Sequence, residues 1–228
     1  YFDYLNEYCK VVYLERTKGI SSTQIRNEHS VRLGIVGNEI ILDRFLSEIK
    51  YVGGIEVTGA YTPLDAVGSK YKSIRFQQLP LYRTYASLLE DVDAVYINAP
   101  LKLRDNLIEE ALGQGKHVLT EFPFSLNYQK AREFVKVASE KSLVLMEGLK
   151  TAYCPAFGKM ISLVKSGRIG KILSIEANFT QILSDDLPNQ VRIAGGSVAS
   201  LGAYPLLVVF KLLGYNYKNI EFITHQEN

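Results

Sequence analysis

The sequence has little cysteine, little histidine and no long apolar run, and each shortage removes a class of protein. Its two cysteines, Cys9 and Cys154, lie far apart in the 228 residues and suggest neither a disulfide framework nor a thiolate metal cluster. The three histidines, His29, His117 and His225, show no metal-ligand spacing, so no metal site is expected. No apolar stretch is long enough to span a bilayer, and no signal peptide is visible. Excess charge is missing too. With 26 basic and 24 acidic residues the net charge is +2, which favours neither nucleic acid nor a membrane surface as a partner. The 15 tyrosines are scattered without clustered Lys or Arg, so no base-stacking platform is expected. What remains is the composition of a cytoplasmic globular protein, 47% apolar and 22% charged, with ample material for a core. Residue 1 is Tyr rather than Met, and the chain enters at once into mixed helix and strand pattern, as an excerpt of a longer polypeptide would.

Hydrophobic periodicity gives the organisation. Val31 to Gly37 (VRLGIVG) is an apolar run ending in glycine, the pattern of a buried parallel strand. Ile40 to Ile49 follows as a helix with Ile41, Phe45 and Ile49 on one face. Further strands are expected at Ile55–Tyr61, Ala94–Asn98, His117–Thr120 and Leu143–Met146, and helices at Thr84–Glu90, Arg104–Gly113 and Asn127–Lys141. Strand alternating with helix over short connections implies a parallel sheet covered on both faces by right-handed crossovers. The rhythm changes near Lys150. A helix over Pro155–Ser166, an alternating strand over Lys171–Gln181, a polar loop, an apolar helix over Ser197–Leu213 ending at Gly214, and a strand from Ile220 suggest a second, sheet-containing domain. The expected architecture is therefore α/β: a Rossmann-like doubly wound parallel sheet over residues 31–150, then a partial α+β domain over 151–228. Residues 1–30 form a separate tail and linker.

The turn after the first strand is the most informative local feature. A dinucleotide fold wants G-x-G-x-x-G there, with glycines for the tight turn, for approach to the pyrophosphate, and for helix packing. This chain has Gly37-Asn38-Glu39-Ile40-Ile41-Leu42, with only the first glycine. Glu39 takes the second glycine's place, where its carboxylate would face a pyrophosphate. At about 4–5 Å and an effective dielectric of about 20, each like-charge pair costs about 3–4 kcal/mol. That exceeds the ~0.3–1 kcal/mol gained from the helix dipole. A plain strand–helix turn with Glu39 as a cap is the other reading. The second strand ends Gly59-Ala60-Tyr61-Thr62, with no acidic residue placed for a ribose.

Three segments in order, VRLGIVG, AVYINAPLKLRDNLIEEALGQGKHVLTEFPFSLN and GGSVASLGAYP, resemble the glucose–fructose oxidoreductase/inositol dehydrogenase (Gfo/Idh/MocA) family over about residues 31–214. The resemblance implies NAD(P) as cofactor, and sugars, polyols or related small molecules as substrates. It also implies a C-terminal domain on an open, mainly antiparallel sheet, through which copies of the chain could pair. It places Gly37, Asn38, Pro100 and Glu121 at the cofactor. Where the family usually has Glu-Lys-Pro, with the lysine positioning substrate and nicotinamide, the chain has Glu121-Phe122-Pro123. Its Thr-Pro-Asn-x-x-His segment reads Ala99-Pro100-Leu101-Lys102-Leu103-Arg104. The later Asp, Gly, then His or Tyr pattern reads Ser200-Leu201-Gly202-Ala203-Tyr204, which leaves Tyr204 as the acid/base candidate.

The first 28 residues resemble something else. VVYLERTKGISST is similar to the last segment of glycerol-3-phosphate-type cytidylyltransferases, Arg-Thr-x-Gly-Ile-Ser-Thr/Ser-Thr. That resemblance implies that Arg16, Thr17, Ser21, Ser22 and Thr23 hold the phosphates of CTP in a longer protein. Guanidinium and free helix-start N–H groups suit an anion. A capping box formed by Ser21 and Gln24 would explain the serines alone. Three functions stay open: a cytidylyltransferase fused to a degenerate oxidoreductase-like module that binds a ligand or partner, a working NAD(P)-dependent oxidoreductase using Tyr204, and a structural or oligomerising domain.

Overall fold

A computed structural model describes residues 9–10, 12, 30–37, 39–63, 78–180 and 196–223. Its centre is a five-stranded, wholly parallel sheet. The strands are β1 (Val31–Gly37), β2 (Ile55–Tyr61), β3 (Ala94–Asn98), β4 (His117–Thr120) and β5 (Leu145–Glu147), in the order β2-β1-β3-β4-β5. Leu81 adds a single parallel bridge to Ala60 on the outer side of β2. The helices that join these strands are α1 (Glu39–Ile49), α2 (Tyr85–Asp91), α3 (Leu101–Gly113) and α4 (Tyr128–Glu140).

Side-chain alternation divides the core between two faces. Leu33 and Ile35 of β1 and Ala94 and Tyr96 of β3 point to one side, where Leu42, Phe45 and Ile49 of α1 cover them. Val36, Val95 and Ile97 point to the other side, under Leu88 of α2, Leu107 and Ile108 of α3, and Phe134 of α4. Gly34 lets α2 settle: a Cβ there would lie 3.0 Å from Leu88 Cδ1. Helix starts follow the sequence cues. Thr84 accepts from the Ser87 N–H, and Asn127 Oδ1 accepts from the N–H groups of Gln129 and Lys130. Helix α3 begins a full turn before the expected Arg104, directly after Pro100. At its other end, Lys141 Nζ donates to the terminal carbonyls of Leu112 (2.9 Å) and Gly113 (2.8 Å).

After α4 come α5 (Lys150–Tyr153), α6 (Pro155–Lys165), α7 (Gly196–Leu201) and α8 (Ala203–Leu213). Here two expectations are corrected. The strand expected over Lys171–Gln181 forms no ladder through residue 180, and neither does the one expected from Ile220 through residue 223. A strand exists by pairing, and no partner strand is present among the described residues. Leu173, Phe222 and Ile223 accordingly stand exposed. The single helix expected over Ser197–Leu213 is two. They meet at Gly202, whose N–H donates to the Val198 carbonyl at 2.9 Å. A Cβ on Gly202 would lie 2.4 Å from that oxygen, so the joint needs glycine. No helix among the described residues is long and apolar enough to cross a membrane.

Candidate functional site

The chain leaves β1 toward β2 and then returns across it to β3. Strand order therefore reverses between β1 and β3, and the crevice beyond their carboxyl ends is the natural ligand position. Gly37 ends β1 and pairs directly with Asn98 at the end of β3. Its φ is +135°, and a Cβ there would sit 1.9 Å from the Asn98 carbonyl oxygen. Any side chain here would be strained and crowded, so the floor of the crevice is bare backbone. Beside it, the Asn98 side chain is buried, and its Nδ2 donates to no described residue. A buried, unmatched donor at a switch point fits a ligand acceptor in the crevice.

Further along the same edge, Arg104 ties β3 to β4. The residue is only 7% exposed. Its Nε and Nη2 donate to the Ala99 carbonyl at 3.1 and 2.8 Å, and its Nη1 donates to the carbonyls of Glu121 (2.9 Å) and Pro123. Tyr96, rising from β3, donates its hydroxyl to Glu121 Oε1 at 2.5 Å. Burial and that carboxylate push the Tyr96 phenol far up, so it stays protonated as a donor. At the end of β5, Glu147 Oε1 accepts the Phe124 N–H at 2.9 Å. Burial raises the Glu147 carboxyl above its ordinary value, against the pull of that N–H and of Arg104. Burial likewise lowers Arg104, opposed first by Glu121.

Tyr204, on the first turn of α8, meets the loop that follows β4. Its ring stacks on Phe179 at 4.3 Å and meets Phe122 edge-on at 6.3 Å. Burial first, and the Glu121 carboxylate second, hold the Tyr204 phenol above its usual value; neither influence is a cation. The Ser200 hydroxyl donates to the Gly196 carbonyl of its own helix at 2.8 Å.

Residues 31–149 match the Gfo/Idh/MocA oxidoreductase family, which has an NAD-binding Rossmann fold. The chain belongs to that family. It is 31% identical over 206 residues to a dTDP-3,4-didehydro-2,6-dideoxy-alpha-D-glucose 3-reductase of Actinomadura kijaniata, across 88% of this chain and 61% of that one. It is 26% identical over 193 residues to a scyllo-inositol 2-dehydrogenase (NADP(+)) of Bacillus subtilis, covering 79% and 58% of the two chains. Among solved structures, a 3-ketoreductase from Actinomadura kijaniata in complex with NADP and TDP-benzene superposes with a TM-score of 0.69 at 31% identity, over 81% of this chain and 58% of that one. The chain thus spans 58–61% of the length of these three relatives.

Within this Gfo/Idh/MocA member, Gly37, Pro100, Glu121 and Tyr204 all fall on the carboxyl edge of the sheet or face it, and Phe122 touches Tyr204. Asn38 lies outside the described residues, and so do Arg16, Thr17, Ser21, Ser22 and Thr23, the positions expected to hold CTP phosphates. The side chain of Glu39, first residue of α1, is likewise outside them. His117 begins β4, and its Nδ1 accepts the Val144 N–H at 2.9 Å, a tie within the fold. No group of His, Cys, Asp or Glu among the described residues could hold a metal ion. Reading from sequence assigned no role to Asn98, Tyr96, Arg104 or Glu147. Two of them carried a signal. Asn98 is the one polar end of the apolar strand AVYIN, and Arg104 shares a helix face with Leu107, Ile108 and Ala111.

Proposed function

We propose that this chain is the nucleotide-binding part and one wall of the substrate site of an NAD(P)-dependent oxidoreductase that reduces the carbonyl of a sugar-like small molecule. The observation that carries this reading is the crevice between β1 and β3, with the Cβ-free cradle at Gly37 and the unmatched Asn98 Nδ2 beside it. Pro100 would border the cofactor, and Glu121 would lie at its nicotinamide half. When bound, the nicotinamide supplies a hydride. The family membership and the NADP named for two of the relatives support that cofactor.

The chain's own contribution is a proton. Reduction of a ketone places a hydride on carbon and a proton on oxygen. Tyr204 keeps its phenolic proton at neutral pH, because burial and Glu121 both disfavour the phenolate. It can therefore donate to a carbonyl oxygen, and the same group would take the proton back in the reverse, oxidative direction. Phe122 bears no charge or donor and acts as packing that fixes the Tyr204 ring.

The test follows nicotinamide absorbance with a panel of keto sugars, free and nucleotide-linked, together with titration of NADPH and NADH. Tyr204→Phe should lower turnover by about 10²–10⁴-fold while leaving dinucleotide affinity unchanged. Full turnover in Tyr204→Phe would remove the proton role. A second reading, a module that holds a ligand without turnover, rests on Phe122 and on the Ser200 hydroxyl spent on its own helix. Tight binding of dinucleotide with no turnover across the panel would favour it.

A further inference from the structure

Arg104 is a buried cation whose hydrogen bonds all end on backbone carbonyls: Ala99 at the end of β3, and Glu121 and Pro123 in the loop after β4. A buried guanidinium is an expensive way to fill a core position. An apolar side chain of similar volume would serve stability as well or better. What an apolar side chain could not do is hold two chain segments in one plane. The five donors of a guanidinium form a rigid fork, and here one branch grips β3's exit while the other grips β4's. The two carbonyls held on the β4 side flank Phe122, so the fork brackets that residue's backbone. Phe122 in turn meets the Tyr204 ring. The loop is also fixed from the strand side, because the Glu121 N–H donates to the Ile97 carbonyl at 3.2 Å and Tyr96 holds the Glu121 carboxylate.

We propose that Arg104 is a positioning residue for the nicotinamide half of the cofactor site. It acts by locking the Glu121–Pro123 loop against the end of β3. The inference rests on the proposed function. A dinucleotide lies across a switch point with one half on each side. The adenosine half then falls toward β2, remote from Arg104, and the nicotinamide half toward β4, over the loop that Arg104 holds. Loosening the fork should therefore weaken one half of the ligand's grip and spare the other.

The experiment titrates NADPH and NADH by calorimetry against the parent chain and Arg104→Lys, then repeats it with the adenosine half alone: ADP or its 2′-phosphorylated form. Lysine keeps the charge, but its single nitrogen cannot reproduce the planar fork that grips Ala99 on one branch and the Glu121–Pro123 segment on the other. The dinucleotide should bind Arg104→Lys roughly ten- to a hundredfold more weakly, the range in which outer supports of a site usually act. The adenosine half should bind both proteins alike, within about twofold. Equal weakening of both ligands would make Arg104 a general structural residue and overturn the assignment, as would an unchanged dinucleotide affinity. If the lysine variant does not fold, Arg104→Gln takes its place, and failure of both to fold overturns the assignment as well. Failure of the parent to bind either dinucleotide would instead defeat the proposed function, and this inference with it.

Discussion

Replacing Gly37 with alanine tests the crevice most directly. At φ +135° an alanine is strained by about 1–3 kcal/mol. Its Cβ would also sit 1.9 Å from Asn98 O and 2.3 Å from Asn98 C, both backbone atoms in a paired strand that no rotamer change can move. Relief requires separating β1 from β3 at the Gly37–Asn98 pair, which adds roughly 1 kcal/mol for each ladder bond weakened. The sum is about 3 kcal/mol or more, against a total stability of about 5–15 kcal/mol for a typical domain. For a chain of this size that lowers the melting temperature by at least about 6 °C. Gly113→Ala is the internal control. It closes α3, has nothing within 4 Å of its Cβ position, and should leave stability unchanged or raise it by up to ~1 kcal/mol. Because the chain has no tryptophan, urea unfolding followed by circular dichroism is the suitable assay. Gly37→Ala within about 0.5 kcal/mol of the parent would refute the steric argument, and equal damage from both alanines would show general intolerance.

Two further outcomes follow from contacts away from the crevice. Asp93 accepts from the Arg32 side chain (2.8 and 3.1 Å) and from its N–H, which lowers its pKa from 3.8 to about 2. A depressed carboxyl stabilises the fold above its unfolded pKa, so this contribution should fade as pH falls from about 4 to about 2. The exposure of both side chains keeps it small; Asp93→Asn should flatten that part of an acid-unfolding curve, and an unaltered curve would deny the pair any role. Lys141→Ala should cost ~0.3–1 kcal/mol in urea unfolding by uncapping α3 and should leave NADPH affinity unchanged; no loss of stability would show that water replaces the ammonium.

The strands within residues 31–149 were legible because parallel sheets write themselves plainly. Both faces of β1 and β3 are buried, so VRLGIVG and AVYIN read as short apolar runs ending in the residues that line the crevice. Errors there were a turn or less: α3 starts at Leu101, directly after its N-cap Pro100, rather than at Arg104. Beyond residue 150 the same method overreached. The alternation in 171–180 describes what a strand would bury, whereas a strand's existence is decided by a neighbour that periodicity within one segment cannot reveal.

The site was legible in composition and opaque in geometry, for a physical reason. Motif comparison registers substitutions one at a time, so Phe122 and Ser200 register as two separate losses. The structure shows them to differ in kind. The Ser200 hydroxyl is spent on the Gly196 carbonyl of its own helix, and no contact to another element is added. Phe122 is held at both neighbouring carbonyls by Arg104 and lies edge-on to a tyrosine that is itself stacked on Phe179. Its ring, Tyr204 and the loop that Arg104 grips thus form one packed unit. The Phe122 replacement and the Tyr204 ring are therefore parts of one packed arrangement, set beside the Glu121 carboxylate rather than in place of it.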